Sequence, residues 1–164
     1  MLRSAGCEVI TGVLEDECRW VNRRFFTWNE KKRPYVILKW AQSADGYIDI
    51  DRKENDARQP TSITGKAEKV LVHKWRAAEQ SILAGAGTIR ADNPKLNVRD
   101  WTGDDPLRLI LSSSGRLDNK SEVFRTNGIN IVFTHNVDIK IADTVVMKLN
   151  GSNDSAVQIS DYLY

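Results

Sequence analysis

Cysteine and histidine are scarce in this chain, with two of each among 164 residues. Cys7 and Cys18 lack a CxxC partner, and neither His73 nor His135 lies near a cysteine or a second histidine in the sequence. A zinc site and a disulfide framework are therefore not expected, and both cysteines read as buried thiols. No apolar run approaches the roughly 20 residues that span a bilayer, and residues 1–8 lack the apolar core of a secretory signal. The expected location is the cytoplasm, with no membrane partner. Charge of one sign is also missing: the net charge is +2 and the basic residues are dispersed, so no nucleic-acid footprint is written here. Neither GxGxxG nor GxxxxGKS occurs, which leaves a standard dinucleotide unit and a P-loop unsupported.

What remains is ordinary for one folded domain, 41% hydrophobic and 28% charged, so a core of useful size can form. Residues 1–33 stand apart. Cys7–Val13 reads as a short strand, and Glu15–Phe26 as a helix with Cys18, Val21, Asn22 and Phe25 on one face. Asn29–Pro34 reads as a charged hinge closed by proline. From Tyr35 the pattern becomes α/β. Tyr35–Trp40 is a nearly continuous apolar run, as in a strand covered on both faces, and Asp45-Gly46 marks a turn. Residues 51–60 are too polar for a core and read as a surface loop.

A helix is expected from an N-cap at Thr64, with Ala67, Val70, Leu71, Trp75 and Ala78 as its apolar stripe. Ser81–Ala84, Leu107–Leu111, Ile129–Phe133 and Thr144–Met147 read as strands, and Ser155–Tyr164 as a helix. Strand, helix and strand over 35–84 predict a right-handed crossover and a parallel sheet. In such a sheet ligands bind beyond the carboxyl ends of the strands.

Several chemistry-bearing residues fall at those ends. Gly85-Ala86-Gly87-Thr88 leaves a strand and enters a helical turn, which suits either a tight turn or close approach to an anion. Thr88 and Asp92 stand four apart, on one helical face, before Pro94 ends the turn. Arg99 follows Leu96 in an extended stretch where a guanidinium could clamp a phosphate or simply be solvated. Arg76 could serve its own helix C-terminus or a ligand. Lys39 interrupts an apolar run. Facing the interior it would need a partner; otherwise it snorkels to solvent. Ser112-Ser113-Ser114 ends another strand as a plain turn or as hydroxyls for a phosphate.

Pro34–Lys39, Ser43–Gly46, Ile63-Thr64, Arg76-Ala77 and Thr88–Arg99 together resemble, in order, the reductase domain of the bifunctional deaminase–reductase of riboflavin biosynthesis. The resemblance runs in register from about residue 34 to 124. It implies a dihydrofolate-reductase-like α/β fold, with a mostly parallel sheet flanked by helices. It also implies NADPH and reduction of the ribosyl group of 5-amino-6-(5-phosphoribosylamino)uracil to the ribityl product. By position, Ala41, Ser62, Thr88, Asp92 and Ser113 would lie on the cofactor side. Lys39, Pro60, Arg76, Leu96 and Arg99 would lie on the substrate side, Lys39 polarising the reacting group and the two arginines holding the phosphate. Residues 1–33 are similar to the end of the family's deaminase domain, which places a boundary between 33 and 34, with 34–164 the first part of the reductase domain.

Departures from the family pattern qualify these roles. Pro60 stands where the family often has serine, leaving a backbone contact, and Ser62 replaces a frequent tryptophan. The chain ends at Tyr164, before a Val-Glu-Gly-Gly-like segment, and the zinc motif of the deaminase half is absent. The expectation is a fold incomplete at its C-terminus and inactive alone. Two competing readings are a pteridine reductase of the same fold, which would not need two phosphate-binding arginines, and a non-catalytic module. A homodimer is expected, formed through an open sheet edge.

Overall fold

The computed structural model describes residues 1–51, 61–136, 138–151 and 154–164. The chain divides into two compact units, one of residues 1–38 with 156–164 and one of residues 39–155. In the larger unit, helix α3 (Lys66–Ala78) leads into β1 (Ser81–Gly85) and α4 (Ala86–Asp92). Strand β2 (Leu107–Leu111), the short helix α5 (Glu122–Arg125), β3 (Asn130–Thr134) and β4 (Thr144–Lys148) follow. The four strands form one sheet in the order β1-β2-β3-β4, and every pairing is parallel. Register is set at Gly85↔Leu111 and Leu111↔Phe133, so the carboxyl ends of β1, β2 and β3 lie side by side.

The core explains why these runs are strands. Ile110 and Val132, paired across β2 and β3, pack with Ile89 of α4, Val123 of α5 and Leu96. Each such side chain contributes roughly 1.5–3 kcal/mol of hydrophobic stabilisation. All five residues of β3 are buried, as expected of a strand covered on both faces. Leu96 enters this core from a left-handed backbone, with φ at 54°.

The smaller unit holds α1 (Glu15–Val21), α2 (Arg23–Lys31) and α6 (Ser155–Leu163), whose first residue belongs to the larger unit. Trp28 stacks at a tilt on Tyr164, with ring centroids 4.6 Å apart. Arg19 bridges to Glu30 and lies over Phe26.

Several expectations need correction. Cys7–Val13 is not a strand, and Cys7 and Cys18 are exposed free thiols, because the surrounding segment buries almost nothing. The expected helix over 15–26 breaks at Asn22, where ψ turns to 20°, and its proposed apolar face is exposed. The charged hinge is helical as far as Lys31 and ends at Lys32 in a left-handed cap. Tyr35–Trp40 carries no strand, and Leu38 is 77% exposed. An apolar run records a demand for burial, but a strand also needs a partner ladder, and β1 pairs only with β2. The crossover from 35–40 to β1 is therefore not formed. Helix α3 starts one residue later than expected, with Gly65 as N-cap in place of Thr64 and no side-chain cap bond. Its buried residue is His73, whereas Trp75 of the expected stripe is 47% exposed. Among the described residues no helix is long and apolar enough to cross a membrane.

Candidate functional site

Two groups of side chains hold most of the expected site residues. The first is built by α3 and the loop after Leu96. His73 and Arg76 are three residues apart and so share a helix face. Gly103, at φ 135°, brings the loop against that helix: a Cβ at this position would meet the Ala77 Cβ at 2.7 Å. Only glycine permits both the dihedral and the approach. The loop is closed further by the Val98 N–H, which donates to Asp105 Oδ1 at 2.7 Å.

Within this clamp His73 is 3% exposed. The Arg99 N–H donates to its Nδ1 at 3.3 Å, and its Nε2 lies 3.3 Å from Asp100 Oδ2. Nδ1 therefore carries the lone pair and Nε2 the proton. Burial lowers the imidazole pKa below its ordinary 6.5, and Arg76 and Arg99 lower it further, against the opposite pull of Asp100 and the Asn97 backbone. Arg76 Nη1 donates to the Asn97 carbonyl at 3.1 Å, so this guanidinium reaches across to the loop. Its Nε is buried without a partner, as is Asn97 Oδ1. Burial, and then the neighbouring Arg99 charge, shift the Arg76 pKa down. Arg99 itself is exposed, with Asp100 Oδ2 3.7 Å from its Nε.

The Arg99 charge is felt at Arg76 beside an unfilled donor, and an anion would stabilise such a pair. A phosphate supplies several acceptors and two negative charges to a planar guanidinium pair. The loop thus sets Arg99 on the same helix end as Arg76, through His73 and the Asn97 carbonyl. Leu96 adjoins them through its backbone alone, because its side chain fills the core. His73, Asn97 and Asp100 were missed. The spacing of His73 and Arg76 on one helix was the available signal, and a histidine far from any other ligand hid it.

The second group lies at the carboxyl edge of the sheet. Gly85 ends β1, α4 presents Thr88 and Asp92, both exposed, and Ser113 follows β2 on the adjoining strand. A Cβ built on Gly85 or Gly87 would meet nothing within 4 Å. Hydroxyls, a carboxylate and an uncrowded backbone suit a nucleotide with ribose hydroxyls and phosphates. Asp92, at the C-terminal end of α4, fits a hydroxyl donor better than a phosphate.

Other expected residues are placed less closely. Lys39 is exposed, which corrects the expectation of an interior ammonium: the segment that carries it is not a covered strand. Ala41 is half-buried and Ser62 exposed, and among the described residues no hydrogen bond ties either to the two groups. Pro60 lies outside the described residues. A cavity of about 710 Å³ between residues 43–51 and 61–63 is lined by Asp45, Asp49 and Asp51, a charge pattern that repels phosphate.

The RibD C-terminal domain family matches residues 34–162. The riboflavin biosynthesis protein RibD of Actinobacillus pleuropneumoniae is 36% identical over 125 residues, covering 76% of this chain and 32% of that protein. That of Aquifex aeolicus is 36% identical over 126 residues, 76% of this chain and 34% of its own length. The chain spans about a third of the length of these curated relatives. Among solved structures, a Thermotoga maritima diaminohydroxyphosphoribosylaminopyrimidine deaminase/5-amino-6-(5-phosphoribosylamino)uracil reductase aligns with 99% of this chain and 44% of its own. Its TM-score is 0.81 at 36% identity. Acinetobacter baumannii RibD covers 92% of this chain and 43% of its own, with a TM-score of 0.71 at 28% identity. The dihydrofolate-reductase-like α/β architecture is common to these reductase domains, and this chain belongs to the RibD C-terminal domain family.

Proposed function

We propose that the chain carries the phosphosugar-binding part of an NADPH-dependent reductase of riboflavin biosynthesis, one that converts 5-amino-6-(5-phosphoribosylamino)uracil to its ribitylamino product. The observation that carries this reading is the packing of the Arg99 loop on the end of α3 that bears Arg76, with a buried Arg76 Nε left unpartnered. Family membership and the activity named for the Thermotoga maritima relative support it. The same arrangement disfavours a pteridine substrate, which has no phosphate to place there.

In this reading Arg76 and Arg99 grip the 5-phosphate and fix the sugar, so that positioning supplies much of the rate. The Leu96 and Pro60 backbones border the substrate. Lys39, free in solvent, donates to the ribosyl group and stabilises the charge that develops there. Thr88, Asp92 and Ser113, with Ala41 and Ser62, line the cofactor side. A bound nicotinamide cofactor would supply the hydride. Residues 1–33 belong to the end of a deaminase domain and 34–164 to the reductase domain, in a homodimeric cytoplasmic enzyme whose zinc lies only in the deaminase domain.

Steady-state kinetics of the full-length reductase carrying Arg76→Ala or Arg99→Ala test the assignment. The Michaelis constant for the phosphorylated substrate should rise by roughly tenfold or more. An unchanged constant in both variants would refute it.

A further inference from the structure

We propose that His73 is a positioning residue of this phosphate site, holding the loop that carries Arg99 against the end of α3 that bears Arg76, through the hydrogen bond from the Arg99 backbone N–H to Nδ1. The proposal rests on the phosphosugar reading above.

Three observations point this way. His73 is the buried residue of α3, on a helix whose apolar side chains are half-exposed. A buried imidazole costs stability unless its polar atoms are paired, and here both nitrogens are engaged by the loop that carries Arg99. Second, Arg76 and Arg99 repel each other, so something must hold the loop against that repulsion. Gly103 clamps the far end of the loop on Ala77, four residues beyond Arg99. The near end is held by His73 and by the Asn97 carbonyl on Arg76.

Third, the two contacts have opposite polarity. Nδ1 accepts from the Arg99 backbone N–H while Nε2 faces the Asp100 carboxylate at 3.3 Å, and only a neutral imidazole offers an acceptor on Nδ1 and a proton on Nε2. The charged and titratable groups around it are Arg76 on its own helix and Arg99 and Asp100 on the loop. A proton on Nδ1 would abolish the acceptor and set a third cation beside the arginines. The neutral ring is therefore what keeps the site assembled.

Two substitutions separate positioning from packing. The amide oxygen of His73→Asn falls near the place of Nδ1 and keeps the acceptor for Arg99. The amide of His73→Gln falls near Nε2 and keeps only the contact with Asp100. Calorimetric titration with ribose 5-phosphate, beside melting temperatures for each variant, reads the difference. His73→Asn should bind within about threefold of the unsubstituted chain, and His73→Gln roughly tenfold more weakly, the loss of one hydrogen bond to the site. Their melting temperatures should be similar. Equal affinity in all three proteins would overturn the proposal, as would affinities that merely follow the melting temperatures. If the unsubstituted chain fails to bind ribose 5-phosphate, or binds it equally without Arg76 and Arg99, the phosphosugar reading falls and this proposal with it.

Discussion

Two arginines in this molecule are both burdened by burial, yet their surroundings differ. Arg108, at the start of β2, is 0% exposed. It donates to the hydroxyl and the carbonyl of Thr126, and the carboxylate of Asp105 opposes the effect of its burial. Gly128, at φ 131°, closes over it: a Cβ there would stand 2.6 Å from Arg108 Nη2. Arg76 has one carbonyl partner and, as its charged neighbour, another cation. Each leaves its Nε without a partner. The lesson lies in the second neighbour. Arg108 is sealed among the fold's own acceptors, with a carboxylate at hand. Arg76 has a like charge for its neighbour and a single acceptor, the setting proposed here for an anion.

The comparison breaks first at Gly128. Gly128→Ala forces a side chain into the Arg108 guanidinium from an unfavourable dihedral. It should lower stability by roughly 2–4 kcal/mol while leaving affinity for ribose 5-phosphate within about twofold. Chemical denaturation and calorimetry check the two halves. Arg76→Ala should do the reverse. Binding of ribose 5-phosphate should weaken by roughly tenfold or more, with stability changed by no more than about 1 kcal/mol, because one repulsion leaves with one hydrogen bond.

Acid sharpens the contrast. The native His73 pKa is lowered, so above 6.5 the imidazole is neutral in both native and unfolded chains. Between that value and the lowered native one, the unfolded chain binds a proton that the native chain refuses. Stability therefore falls as pH falls through this window. Denaturation midpoints measured from pH 7.5 downward should show the decline, and His73→Asn should remove it. The smallest effect is expected at Asp100. Asp100→Asn keeps an acceptor for His73 Nε2–H but removes the negative charge near Arg99, so ribose 5-phosphate should bind about two- to threefold more tightly.

Much of the sheet was legible because its strands are short apolar runs bounded by turns. Leu107–Leu111 matches its expected limits, β1 and β4 each run one residue further, and β3 is shifted by one residue at both ends. Residues 35–40 carry the same signal without a partner strand, since composition reports a residue's affinity for the interior and not which backbone lies alongside. Lys39 was misplaced for that reason. Arg76 and Arg99 were singled out through family resemblance, and the loop that carries Arg99 is held on α3 by features that periodicity cannot reveal: a glycine-dependent approach at Gly103 and a histidine bridge. The stripe of α3 misled because its most buried position is polar, and a search for apolar spacing passes over it.

Amide chemical shifts of the chain, followed while ribose 5-phosphate and then unphosphorylated ribose are added, test the site most directly. The account predicts saturable shifts centred on Asn97, Arg99 and Asp100 with the phosphorylated sugar alone, lost in Arg76→Ala. Equal responses to both sugars, or shifts that gather elsewhere, would contradict it.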